Sequence, residues 1–185
     1  MSDMIDKINI TILVLLMLSC VSHNNKIAIK HHEKCIDDFC LLDSEKIIVN
    51  IKNIDRYIYK DGIYLINRER GEYFRMNHYP GDPKYKMSVF EIGYLSDEEV
   101  PAFIESDGLF TTDNGTALGN TEENILRLQG EPNHILAIDG CKVYQYKEDV
   151  SNSKFVQKNN ESAYFIEYWF IDDKLVKLVF GFEYP

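Results

Sequence analysis

The stretch from Gly119 to Pro132 (GNTEENILRLQGEP) constrains this chain more than any other, because it marks both ends of a short helix. Asn120 and Thr121 are the two N-cap candidates, since a short side-chain oxygen there accepts a bond from an unpaired amide of the first turn. With Asn120 as cap, Glu123 falls at the third helical position, as in a capping box; with Thr121, Asn124 falls there. Glu122 and Glu123 add negative charge where the helix dipole favours it. Ile125 and Leu128 share a face, with Leu126 at its edge. Gly130 can adopt the left-handed backbone that ends a helix, and Pro132 prevents continuation. These signals predict a helix at about 121–129. It is too short to persist alone and must pack on a partner.

The following residues supply that partner. Ile135 to Ile138 and Cys141 to Tyr146 flank Asp139-Gly140, a two-residue hairpin signal. Tyr164 to Ile171 and Leu175 to Tyr184 flank a predicted three-residue connection, Asp172 to Lys174. In the last strand Val176, Leu178, Phe180 and Phe182 are expected on one face, and Lys177 and Glu183 on the other. In the strand before it both faces carry apolar residues. Antiparallel strands with a helix on one side predict an α+β, two-layer unit with one short covering helix.

Gly119, Thr121, Ile125, Leu128, Gly130 and Pro132 match the spacing G-x-[ST]-x-x-x-[VI]-x-x-x-x-G-x-P, and the chain closes on an aromatic-rich hairpin with an Asp-Asp-Lys turn. In these features residues 108–185 resemble the SmpA/OmlA-type small bacterial lipoproteins and related modules with a β-lactamase-inhibitor-like fold. Asn120 stands where that family has Met, and Gln129 where it has Leu. The resemblance implies a small α+β envelope module. The family's role is support of outer-membrane protein assembly.

The N-terminus has the pattern of an export signal. Ile8 to Leu18 is an apolar run broken only by Asn9 and Thr11, preceded by Lys7 and followed by Ser19-Cys20. That run falls well short of the roughly 20 residues needed to cross a bilayer, but suits a signal-peptide core. Ser19-Cys20 resembles a lipobox, so residues 1–19 are expected to be a signal peptide and Cys20 the lipidated residue; a plain cleaved signal and a buried apolar helix are the alternatives. Residues 20–44 are then expected to be a polar tether, and residues 45–185 a single α+β domain. Val21 is not the Asp that resembles an inner-membrane retention signal, which points to the outer membrane or its periplasmic face. In an oxidising compartment Cys35 and Cys40 are close enough in sequence to bridge, leaving Cys141 unpaired.

From Glu45 the chain reads as short strands. Ile47 to Ile51 is a β-branched run, Arg56 to Tyr59 and Ile63 to Asn67 flank Lys60-Asp-Gly62, and Glu72 to His78 and Lys86 to Tyr94 flank a turn with two prolines. Ser96 and Glu99 outline a further helix cap, cut short by Pro101.

With 20 basic and 30 acidic residues and a net charge of −10, the chain is a poor match for nucleic acid. Charge is uneven: residues 52–86 carry eight Lys/Arg against five Asp/Glu, whereas residues 87–133 carry Arg127 alone against ten acids. That asymmetry suits either a dipolar docking surface or two solvated faces. No nucleophile elbow, P-loop, zinc-protease or dinucleotide motif is present, and no cofactor is indicated. His31, His32, Glu33, Cys35 and Cys40 are zinc-ligand types, but lack a second ligand pair at standard spacing. The acids Asp97, Glu98, Glu99, Asp107 and Asp113 lack the EF-hand order. Arg56, Arg68, Arg70 and Arg75 interleave with Tyr57, Tyr59, Tyr64, Tyr73 and Tyr79, which suits either a stacking surface or ordinary cross-strand packing. Glu91 and Glu167 are the candidate pair for carboxylate hydrolysis. The sequence therefore leads to a non-enzymatic, lipid-anchored interaction or scaffolding module meeting another envelope protein. A small envelope hydrolase or glycan-binding subunit is the alternative.

Overall fold

In the computed structural model, residues 28–184 are described, except 60, 61, 84, 97–99 and 101. The expected signal peptide, Cys20 and the Ser96–Glu99 cap thus lie wholly or partly outside the described residues. The two longest alternations in the sequence form the centre. β10 (Ala163–Ile171) and β11 (Lys174–Phe182) pair antiparallel from Tyr164 opposite Phe182 to Ile171 opposite Lys174. Around them one sheet grows outwards. β9 (Cys141–Asp149) and β8 (His134–Ile138) add on one side; β6 (Val89–Tyr94), β5 (Glu72–Asn77), β4 (Gly62–Asn67) and β3 (Ile58–Tyr59) add on the other. A ninth strand, β7 (Ile104–Glu105), runs parallel to β4, so the sheet is mixed. β1 (Cys35–Ile36) and β2 (Phe39–Cys40) form a separate hairpin closed by a Cys35–Cys40 disulfide.

The fold is α+β with sheet dominant, and the described residues hold three short α-helices rather than one: α1 (Ser44–Asn50), α2 (Glu122–Gln129) and α3 (Lys154–Asn159). In the expected strand Ile47–Ile51, residues 47–50 belong to helix α1 instead, and Ile51 is its extended C-cap. Asp43 caps its first turn through the Lys46 amide, and Ile47 and Ile51, four apart, turn inward together while Ile48 and Val49 face solvent. A capped turn with one buried stripe outweighs the β preference of branched side chains. α3 has a similar origin: the Ser153 hydroxyl accepts from the Val156 amide, and Val156 is fully buried.

One face of the sheet is covered. Phe74, Phe90, Ile92, Tyr146, Ile166, Phe180 and their neighbours pack beneath Ile36, Ile47, Ile51, Phe110, Ile125 and Val156. Three expectations are corrected here. Leu175, not Val176, joins the buried row of β11, because the pairing shifts register between Trp169 and Phe170. The final connection has two residues, Asp172 and Asp173, both at positive φ, as a tight hairpin of this hand requires. The stretch 20–44 is not a tether throughout. From Ile29 onward it is built into the fold, with Ile29, Glu33, Ile36 and Phe39 buried.

Helix α2 has the expected limits, capped by Thr121. The Thr121 hydroxyl accepts from the Asn124 amide at 3.2 Å, and Asn124 Oδ1 accepts from Thr121 N at 3.1 Å. Asn120 is not the cap; its Oδ1 accepts from the Ala117 amide. Gly130 closes the helix at φ +82°, ψ −162°, a positive-φ conformation outside the left-handed helical well. Pro132 follows, buried. The inward pair is Ile125 and Gln129 rather than Ile125 and Leu128.

Candidate functional site

Among the described residues no helix packs on the opposite face of the sheet, and its pleat brings distant residues into rows. One row crosses seven strands: Tyr64, Arg75, Glu91, Val179, Glu167, Gln145 and His134 are successive cross-strand partners. The adjoining row includes Tyr73, Gly93, Lys177, Trp169, Val143 and Leu136. Period-two alternation decides this membership, since the intervening residues are those of the core.

The polar groups of these rows hold one another. The Tyr73 hydroxyl donates to Glu91, and Lys177 Nζ lies 3.4 Å from Glu91 Oε1. Gln145 Nε2 donates to Glu167 Oε1 at 3.0 Å, and the Trp169 indole N–H donates to Glu167 Oε2 at 3.2 Å. The Lys177 ammonium also sits 5.1 Å from the Trp169 ring centroid, and the Arg75 guanidinium 5.3 Å from that of Tyr64. Burial, then the neighbouring Glu91 carboxylate, pushes the Tyr73 phenol well up, so it remains a donor. Gly93 makes room for that ring: a Cβ there would lie 2.9 Å from Tyr73 Cε1. The result is a fixed surface of aromatic rings with charges of alternating sign.

Glu91 and Glu167 share a row, but Val179 stands between them. Two strand spacings put their backbones roughly 10 Å apart. Each carboxylate has its own donors.

The basic-aromatic segment divides. Tyr64, Tyr73 and Arg75 join this face, whereas Arg68 pairs with Glu105 and stacks on Phe103, Arg70 pairs with Glu72, and Tyr79 packs on Tyr184. The proposed zinc ligands separate too. Cys35 and Cys40 are consumed by the disulfide, His32 Nε2 lies 2.9 Å from Glu148 Oε2, and Glu33 turns inward. Asp113 accepts from the backbone amides of Lys34 and Cys35. Among the described residues no group of three or more His, Cys, Asp or Glu is placed to hold a metal ion. Nor is any helix among them long and apolar enough to cross a membrane.

Sequence reading missed the two carboxylates that anchor the N-terminal strap, residues 28–36. Glu148 accepts from the Ile29 amide and faces His32; Glu33 accepts from Asn114, Thr116 and Tyr168. Nothing in the polar run around Glu33 distinguishes a buried acid from a solvated one. Comparisons with family models, curated proteins and solved structures found no match to this chain.

Proposed function

We propose that this chain is an exported, lipid-anchored module of the cell envelope, attached at Cys20, and that the face of its sheet opposite the core docks a protein partner. The observation that carries the reading is the clustering of Trp169, Tyr64, Tyr73 and Arg75 with the Glu91–Lys177 ion pair and the hydrogen-bonded Glu167 on that one face. Trp, Tyr and Arg are the residue types that dominate interface energetics, and pre-paired charges of both signs select a complementary surface. The Cys35–Cys40 disulfide fits an oxidising compartment outside the cytoplasm. The resemblance of residues 108–185 to small envelope lipoproteins belongs to the same reading. Ile29 is buried in the fold, so the eight residues 21–28 can place it no farther than roughly 30 Å from Cys20. The partner would therefore meet the module close to the membrane surface. The alternative of carboxylate hydrolysis has less support, because Glu91 is already engaged by Tyr73 and Lys177, and Glu167 by Gln145 and Trp169.

The test uses a photo-crosslinking amino acid at position 169 and, as control, at Ile48 on the exposed side of α1. Position 169 is expected to capture one envelope protein, Ile48 is not, and Arg75→Glu should abolish the adduct. Cys20→Ser should move the protein out of the membrane fraction. Equal adducts at both positions would defeat the docking assignment, and unchanged fractionation of Cys20→Ser would defeat the anchor.

A further inference from the structure

Away from the sheet face, an open cleft of about 420 Å³ lies where the strap and the loop before α2 meet that helix. Its polar lining includes Asn114, Thr116, Asn120, Asn124 and Arg127, with Ile125 and Leu128 contributing apolar surface. The hydrogen bonds of the three asparagines fix which way each amide points. Asn120 Oδ1 accepts from the Ala117 amide at 3.1 Å, and Asn124 Oδ1 from the Thr121 amide at 3.1 Å. A backbone N–H only donates, so the oxygen must face it, and each side chain's NH₂ group is left over. Asn114 is oriented the other way. Its Nδ2 donates to the His32 carbonyl and to Glu33 Oε2, both at 2.9 Å, leaving Oδ1 as an acceptor.

Arg127 completes the set. It is the one basic residue in the acidic stretch 87–133, and among the described residues it makes no ion pair. The lining therefore offers a guanidinium and two pre-oriented carboxamide donors, beside one carboxamide acceptor. Glu33, the buried acid bonded to Asn114 and Thr116 at the cleft wall, is also held by Thr112 and Tyr168, and burial, the largest influence, raises its pKa.

The geometry points to a binding site for a small carboxylate-bearing ligand: Arg127 and the Asn120 and Asn124 amides take the carboxylate, and Asn114 Oδ1 takes an O–H or N–H beside it. A planar guanidinium with flanking N–H donors matches the two oxygens of a carboxylate, and such charge-assisted bonds are the stronger kind. Sugar acids and peptide C-termini both present a carboxylate next to a hydroxyl or amide. The site is separate from the docking face and does not rest on that assignment.

Titration of the ¹⁵N-labelled full chain tests it, following the side-chain resonances of Asn120, Asn124 and Arg127. The probes are glucuronate and acetyl-alanyl-alanine, with glucuronamide and the C-terminally amidated dipeptide as neutral controls. At least one acid is expected to shift all three resonances, its neutral control binding about tenfold or more weakly. Arg127→Met should weaken the acid about tenfold or more, and Arg127→Lys should restore part of the loss. Response to glucuronate alone assigns a sugar acid, to the dipeptide alone a peptide terminus, and to both the shared carboxylate. Arg127 lies exposed on α2, so Arg127→Met should keep the parent thermal melt. No shift with either acid, equal binding of the neutral controls, or undiminished binding by a folded Arg127→Met would overturn the assignment.

Discussion

The hydroxyl of Tyr168 donates to Glu33 Oε1 at 3.0 Å, joining residues 135 positions apart in the chain. Both side chains are fully buried, and the same hydroxyl accepts from Gln129 Nε2 at 3.0 Å. Tyr164 adds a second clamp by donating to the Glu33 carbonyl. The N-terminal strap is therefore held to the central strands by a buried polar network as well as by Ile29 and Ile36. Such a network is valuable only when complete, because an unmet buried donor or acceptor carries its full desolvation cost.

Tyr168→Phe removes a donor from Glu33 and an acceptor from Gln129 at once. A loss of about 1–3 kcal/mol is expected in urea unfolding, with an unchanged m-value. A stability equal to that of the parent would show that the network does not hold the strap.

Glu33 also gives the protein a distinctive pH response. Burial, the largest influence, lifts its carboxyl above the ordinary value of 4.5, and hydrogen bonds from Thr112, Thr116, Asn114 and Tyr168 pull part of the way back. The folded state thus holds this proton more tightly than the unfolded state does. Its contribution to stability grows as pH falls through the raised folded value, and is complete below 4.5. Relative to Glu33→Gln, the parent should gain stability from neutrality towards that value. Parallel profiles for the two proteins in chemical denaturation would contradict this.

The Cys35–Cys40 disulfide closes a loop with a sequence separation of 5. A crosslink this short removes little unfolded-state entropy, so Cys35→Ser with Cys40→Ser should cost about 2 kcal/mol. Calorimetry of oxidised and doubly substituted protein measures it. Hydrogen exchange should quicken first at Leu41, whose amide bonds to the Lys34 carbonyl.

At Gly130 the backbone adopts φ +82°, ψ −162°, which a β-branched residue adopts only under strain. Gly130→Val should cost more than about 1 kcal/mol, and should weaken the bond that the Tyr146 hydroxyl donates to the Gly130 carbonyl at 2.7 Å. An unchanged thermal melt would refute that requirement.

Gly93→Ala acts on the sheet face instead. The new methyl would meet the Tyr73 ring, displace it and break its bond to Glu91. The Tyr73 ring resonances should move in a ¹³C spectrum while those of Phe74 and Phe90, on the core face, stay in place. Unmoved Tyr73 resonances would show that the ring does not depend on the glycine.

Much of the C-terminal half was legible in the sequence because its signals are local. Thr121 and Gly130 mark their helix through bonds within a few residues, and Asp139-Gly140 sets its hairpin through backbone conformation alone. Legibility failed where a local preference met a distant partner. Ile47 to Ile51 has β-branched residues, yet burial of one stripe against the core makes residues 47–50 helical. The register shift at Trp169 exchanged Val176 for Leu175, and no pattern within β11 announces it.

The strand character of β10 and β11, the limits of α2 and the hairpin after β8 could be read from local residues, since each depends on groups only a few bonds apart. Long-range packing set the rest: it made Glu33 and Glu148 buried anchors, gathered Arg75, Glu167 and Trp169 on one face, and brought three asparagines and Arg127 to one cleft. Those groupings arise from sheet pairing and strap docking across scores of residues. A side chain's burial and partners are set by what the whole fold brings beside it.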